Sequence, residues 1–241
     1  MKKLMMPLLF VALLAVSIAV YMYLVPDLVR RGGPLVALLI FLAMLSIAFV
    51  IERTLTLRRA AGNDPLPVFI TNVKRELNKG DVDAAMALCD KQRGSAANVL
   101  KAGLIRYRQL IQERAPKEKI VPETQQAIQE ANSLEVPLLE RNLVGLSTIA
   151  SICTMVGLLG TVIGMIRAFS AASNVGAVDA AELAKGISEA LINTAGGLFI
   201  AIFSIVLYNV FTTKVDNFNY MMDEASYETL QLLTSHTYDT K

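Results

Sequence analysis

The residues that could do chemistry in this 241-residue chain lie where charge is most costly. Glu189, Asn193 and Thr194 fall within GISEALINTAGGLFIAIFSIVLYNVF, residues 186–211, and the 24 residues from Ala190 to Thr213 are uncharged. A run of that length suffices for a membrane-spanning helix, which needs about 20 apolar residues. A carboxylate inside such a helix costs roughly 2.5 kcal/mol or more at the centre and therefore faces protein or a water path. Asp179-Ala-Ala-Glu182 has the form of a capping box and predicts a helix start near Ala180. Glu189 then lies about 14 Å along the axis, well past the entrance.

A second run, Asn142 to Ile166, has 25 residues between Arg141 and Arg167 and is rich in small and hydroxyl side chains. Ser147, Ser151, Thr154, Leu158, Thr161, Met165 and Ala168 fall on one stripe at steps of four and three. Gly157, Gly160 and Gly164 give a small-residue face suited to close helix approach, as do Ala190, Gly197 and Ala201 on the next run. Arg167 or Lys185 could pair with Glu189, which would favour a structural or gating role over proton carriage. One carboxylate cannot relay protons across about 30 Å of hydrocarbon, so a titratable group from another chain is expected.

The elements that must position these groups are helices. The chain is 54% hydrophobic and 18% charged, the profile of a membrane protein, and no strand alternation is visible. The fold class expected is an all-α polytopic membrane protein whose long transmembrane helices extend into a cytoplasmic helical domain. Residues 1–25 read as an extra N-terminal transmembrane helix, with a signal segment as the alternative. Residues 34–51, 142–170 and 180–213 read as three further transmembrane helices.

Between them, residues 52–141 hold 15 of the 23 Lys and Arg residues and form the helical domain, cytoplasmic by its basic charge. Residues 214–241 are expected as a cytoplasmic C-terminal tail. Helical spacing marks Val68, Ile70, Val73 and Leu77 as one stripe and Val82, Ala85, Met86 and Cys89 as a second. Ser95 is expected to cap a third helix, with a stripe from Val99 and Leu100 through Leu104 and Tyr107 to Ile111. A fourth is expected after Pro122-Glu123-Thr124, kinked or broken at Pro137.

Composition also excludes. The basic residues follow topology rather than forming a patch, so no nucleic-acid partner is implied. Cys89 and Cys153 imply neither a disulfide nor a metal framework, and the single His236 reads as solvated. There is no nucleophile–base pair, phosphate loop or metal constellation, so neither an enzyme nor a cofactor is expected.

Val156-Gly-Leu-Leu-Gly-Thr-Val-Ile-Gly-Met165, followed by Gly186-Ile-Ser-Glu-Ala-Leu-Ile-Asn-Thr194 and Tyr208-Asn-Val-Phe211, resembles the ExbB/TolQ branch of the MotA/TolQ/ExbB proton-channel family. The resemblance covers about residues 34–235 and implies an inner-membrane motor subunit of a Gram-negative bacterium. It also implies a homopentamer around a pore, an ExbD- or TolR-like single-span partner inside it, and a TonB- or TolA-like protein driven by proton-motive force. Thr161, Glu189 and Thr194 match the polar residues of that family's ion pathway. The first apolar run departs from the branch's three spans, and Thr154-Met155 stands where a proline is expected.

On a regular helix Glu189 and Thr194 point about 140° apart, while Asn193 is about 40° from Glu189 and is its better companion. Thr194 shares a face with Ala190, Gly197 and Ala201, a surface suited to a lumen or a sliding partner. Thr161 and Thr194 are therefore expected at the lumen and Glu189 at its edge or at a subunit contact. A TonB-energising motor is the expected function. A TolQ-like envelope motor, a flagellar-type stator and a non-conducting scaffold are the alternatives.

Overall fold

The computed structural model describes residues 2–23, 25–172 and 180–239. Nine α-helices and no strand occur among them: α1 Lys2–Tyr23, α2 Asp27–Arg30, α3 Leu35–Ala61, α4 Leu66–Asn78, α5 Val82–Gln92, α6 Ser95–Gln112, α7 Lys117–Glu140, α8 Leu143–Ala172 and α9 Ala180–Asp239. The chain is an all-α polytopic membrane protein. Three of the described helices, within α3, α8 and α9, are long and apolar enough to cross a membrane, and residues 12–23 are an apolar part of α1. α9 is described from Ala180 onward. Asp179, the first residue of the expected capping box, lies outside the described residues.

The chain divides into two compact units, residues 1–52 with 142–210, and residues 53–141 with 211–241. In the first, Phe41 and Leu42 of α3, Ile149, Ala150 and Cys153 of α8 and Ala201 of α9 form a buried cluster, with Leu13 of α1 packed against it. The Ser46 and Ser204 hydroxyls meet inside it at 2.9 Å, each satisfying the other. In a bilayer, apolar side chains gain nothing by leaving lipid, so contact area must come from close approach.

Glycine supplies that approach between α8 and α9. A Cβ on Gly157 would lie 3.4 Å from the α-carbon of Gly197, and one on Gly164 would lie 2.7 Å from the Gly186 carbonyl oxygen. The contact stripe on α8 is Cys153, Gly157, Gly160, Gly164 and Ala168; on α9 it is Gly186, Ala190, Asn193, Gly197, Ala201 and Ser204. Steps of three and four keep each stripe on one face.

The second unit is built from amphipathic helices. α4 buries Leu66, Phe69, Val73 and Leu77. Val68, expected on this stripe, is instead exposed; the true face is Leu66 and Phe69, one helical step away, and it continues into Val73 and Leu77. α5 buries Ala85, Met86 and Cys89 as expected, and Asp81 caps it, its carboxylate accepting from the Ala84 amide at 2.8 Å. Burial pushes the Cys89 thiol up to about 12, so it packs as a small apolar side chain. α6 starts at Ser95, but the residue preceding it, Gly94, is the N-cap and no side chain caps the helix. Its stripe ends on Leu110, leaving Ile111 exposed.

α7 starts at Lys117 rather than beyond Thr124. Pro122 sits in its second turn, where it forfeits one bond without ending the helix. The chain also passes Pro137 and remains helical to Glu140; the break comes at Asn142, which takes the left-handed conformation at φ 65°. There the buried Arg53 guanidinium donates to the Leu139 carbonyl at 3.1 Å, one of the acceptors that a helix end leaves unpaired. The stretch from residue 214, expected as a tail, is the end of α9. Val215, Phe218, Met222, Ala225 and Leu233 are buried there, and Thr237 donates to the Tyr107 hydroxyl at 3.3 Å.

The α8–α9 contact makes a sharp distinction between two adjacent glycines. A Cβ on Gly197 would lie 2.5 Å from the Cys153 carbonyl oxygen, whereas one on Gly196 would meet only Leu39 at an ordinary 3.4 Å. Gly197→Ala is expected to cost about 1–3 kcal/mol through overpacking, and Gly196→Ala less than about 0.5 kcal/mol. Thermal melting of the detergent-solubilised protein checks the difference.

Candidate functional site

Glu189 lies in the third turn of α9 and is only 6% exposed. Arg167 of α8 pairs with it through one guanidinium nitrogen and Oε1. The partner side chain is 53% exposed, so the pair joins the surface of this unit to a buried carboxylate. Of the two basic residues that sequence offers, geometry selects Arg167. Lys185 reaches Glu182 instead, at 4.0 Å across one turn, with both side chains exposed.

The Arg167–Glu189 pair forms beside a close approach of α8 and α9. Gly164 and Gly186 each precede their member of the pair by three residues, and they are in backbone contact. Without that approach a guanidinium on one helix could not reach a carboxylate held inside the other helix's packed face.

Asn193 sits one turn further along α9 and is fully buried. It fits over Gly160, whose missing side chain makes the room: a Cβ there would lie 2.9 Å from the Asn193 Cγ. Its Nδ2 donates to the Gly32 carbonyl at 2.8 Å. Its Oδ1 is buried and has no hydrogen-bond partner among the described residues, an unsatisfied acceptor of the kind that marks functional or solvated positions.

Gly32 and Gly33, in the turn between α2 and α3, are the site residues that sequence reasoning did not single out. Gly33 has φ 74°, and a Cβ there would lie 3.1 Å from the Glu189 Cδ. Their signal was a glycine pair between two apolar runs, legible as a turn but silent about what the turn covers.

Thr194 is half-buried and donates to the Gly157 carbonyl of α8 at 3.1 Å. Ala190, Gly197 and Ala201, expected with it on a lumen surface, are buried against α8 of the same chain. Gly157, Gly160 and Gly164 are likewise engaged within the chain. The small-residue faces of both helices are used by each other, because that contact alone brings the backbones within reach.

Thr161 is different. It is partly exposed, and its hydroxyl donates to the Leu158 carbonyl of its own helix at 2.6 Å. Ser147, Ser151 and Thr154 also bond backward along α8, to Val144, Ser147 and Ala150. Ala168, placed on the same stripe by periodicity, belongs instead to the buried glycine face. Beside Thr161 runs an open groove lined by Val162, Met165, Ile166 and Phe169. Each hydroxyl has its proton engaged yet keeps an acceptor lone pair free, a face that water can follow. Among the described residues no cluster of side chains could hold a metal ion.

Four matches to known proteins bear on this arrangement. Residues 92–224, more than half of the chain, match the family model described as the MotA/TolQ/ExbB proton channel family. An ExbB-like biopolymer transport protein (ExbB-like 3) of Synechocystis sp. is 28% identical over 183 residues, 75% of this chain and 81% of that protein. The Tol-Pal system protein TolQ of Haemophilus influenzae is 39% identical over 99 residues, 41% of this chain and 43% of its own length. The biopolymer transport protein ExbB of Pseudomonas putida is 38% identical over 89 residues, 37% of this chain and 27% of its own length. The TolQ and ExbB relatives are thus matched over less than half of their lengths. The matched span includes α8, the Arg167–Glu189 pair and the membrane part of α9, and the chain belongs to the MotA/TolQ/ExbB proton channel family as an ExbB/TolQ-type membrane subunit.

Proposed function

We propose that this chain is the ExbB-like subunit of a bacterial inner-membrane motor. It uses proton-motive force, together with an ExbD-like single-span partner, to energise TonB-dependent transport across the outer membrane. The observation that carries this reading is the buried Glu189 carboxylate, paired with Arg167 inside an apolar helix. A scaffold has no use for so costly a group, whereas a gate does. The partly exposed hydroxyl face of α8 supports it, since one chain cannot enclose a lumen and several copies can. A pentamer around the partner's helix follows, with Thr161 on the water path, Thr194 and Asn193 holding α9 in register, and Glu189 acting as the gate. Residues 1–25 add a fourth span, which leaves both chain ends in the cytoplasm.

The ExbB role is preferred because the ExbB-like relative aligns over the larger share of this chain. A TolQ-like role in envelope maintenance is the second reading, favoured by the higher identity to TolQ over a shorter stretch. Loss of siderophore-type uptake on deletion separates the first from the second, in which detergent sensitivity appears instead.

Isosteric substitutions separate a motor from a scaffold. Thr161→Val and Glu189→Gln keep shape while removing the hydroxyl or the charge. Each is expected to lower energised uptake at least tenfold per assembled complex; normal uptake in both leaves only the scaffold. Thr194→Val also removes a hydrogen bond between helices, worth about 0.6–1.7 kcal/mol in membranes. It is expected to lower both the melting temperature and uptake.

The two basic residues near Glu189 are distinguished in the same assay. Arg167→Gln leaves a buried carboxylate uncompensated and is expected to destabilise by about 3 kcal/mol or more, with loss of uptake. Lys185→Gln breaks only an exposed pair, and its stability and uptake are expected to match the unsubstituted protein.

A further inference from the structure

We propose that Gly33 is the positioning residue for Glu189. Its side-chain-free, left-handed backbone closes one side of the carboxylate and leaves Arg167 as the partner that Glu189 can reach. Three observations converge on this turn. Gly33 takes φ 74°, a conformation that favours glycine, and a Cβ there would lie 3.1 Å from the Glu189 Cδ and 3.7 Å from its Cγ. Its neighbour Gly32 accepts the Asn193 amide at 2.8 Å, and a Cβ on Gly32 would meet Ile192 of α9 at 2.8 Å. Backbone bonds hold the turn itself: Gly32 and Gly33 amides donate to Val29 and Arg30 carbonyls at 3.0 and 3.1 Å, and Val36 donates to the Gly33 carbonyl at 3.2 Å.

The turn therefore straddles one turn of α9, touching Glu189 with one glycine and Asn193 with the other. Residues four apart share a face, so a single rigid saddle can address both. Arg167 approaches from α8, while Lys185 lies against Glu182 and Arg30 against Asp27, each at 4.0 Å. A methyl group at Gly33 would push the carboxylate off its seat against the guanidinium. That this placement matters to transport rests on the motor reading; the placement itself does not.

The test reads the ion pair rather than transport. 4-Hydroxyphenylglyoxal adds to guanidinium groups and reacts slowly with one engaged by a carboxylate, and mass spectrometry of the Arg167 peptide in the assembled full-length protein gives the rate. Glu189→Gln sets the scale, with an expected rise of at least threefold. Gly33→Ala is expected to give at least half of that rise. Gly80→Ala is the control, because Gly80 has φ 79° with nothing within 4 Å of its Cβ; it matches the backbone strain without the contact and is expected to leave the rate unchanged.

A Gly33→Ala rate equal to that of the unsubstituted protein, an equal rise in Gly80→Ala, or no rise in Glu189→Gln overturns the proposal. If Gly33→Ala fails to accumulate, adding Glu189→Asp, which withdraws the carboxylate by one methylene, is expected to restore it; failure to restore overturns the proposal as well. A raised rate with undisturbed uptake upholds the role of Gly33 and sinks the motor reading.

Discussion

A carboxylate held inside an apolar helix is the constraint on which the first unit depends. Leaving Glu189 unpaired at this depth would cost several kcal/mol, so a cation must reach it. Arg167 does, from the neighbouring helix. That pairing requires α8 and α9 to approach backbone to backbone, which only residues without bulky side chains permit. The contacts at Gly157, Gly164, Gly186 and Gly197 follow from this requirement. The same closeness puts the Thr194 hydroxyl within 3.1 Å of the Gly157 carbonyl and lets Asn193 lie over Gly160.

The amphipathic helices of the second unit are held together differently. There apolar stripes fold because burial removes them from water, and polar groups seal the helix ends. Gln92 shows this in detail: it is 2% exposed, donates to the Ala61 and Asp64 carbonyls and accepts the Asp64 amide, so the end of α3 is closed by one side chain from α5. Arg53 does the same for α7. Two units of one chain are therefore stabilised by different terms, close packing in the first and apolar burial in the second.

Periodicity made much of this legible. The carboxylate's place at the head of an uncharged run, the choice of Arg167 or Lys185 as partner, the glycine faces and the family resemblance could all be read from residue types and spacing. Spacing says which residues share a face, however, and not what covers that face. The surface of Ala190, Gly197 and Ala201 suited a lumen as well as a packed contact, and only the fold shows α8 filling it. The Gly32–Gly33 turn escaped notice for the same reason, since its contact with Glu189 joins positions 156 residues apart. The stripe of Val215, Phe218, Met222, Ala225 and Leu233 was present in the sequence but masked by the polar residues among which it is set.

The central claim is that Glu189 controls ion movement through an assembly of these chains. Its most direct test is proton entry into liposomes that contain the purified assembly with its single-span partner, followed with an internal pH dye after a potential is imposed. Entry above the rate of empty liposomes, lost in Glu189→Gln with the assembly intact, is the expected result. Proton entry that is unchanged by Glu189→Gln, or no faster than in empty liposomes, would contradict it.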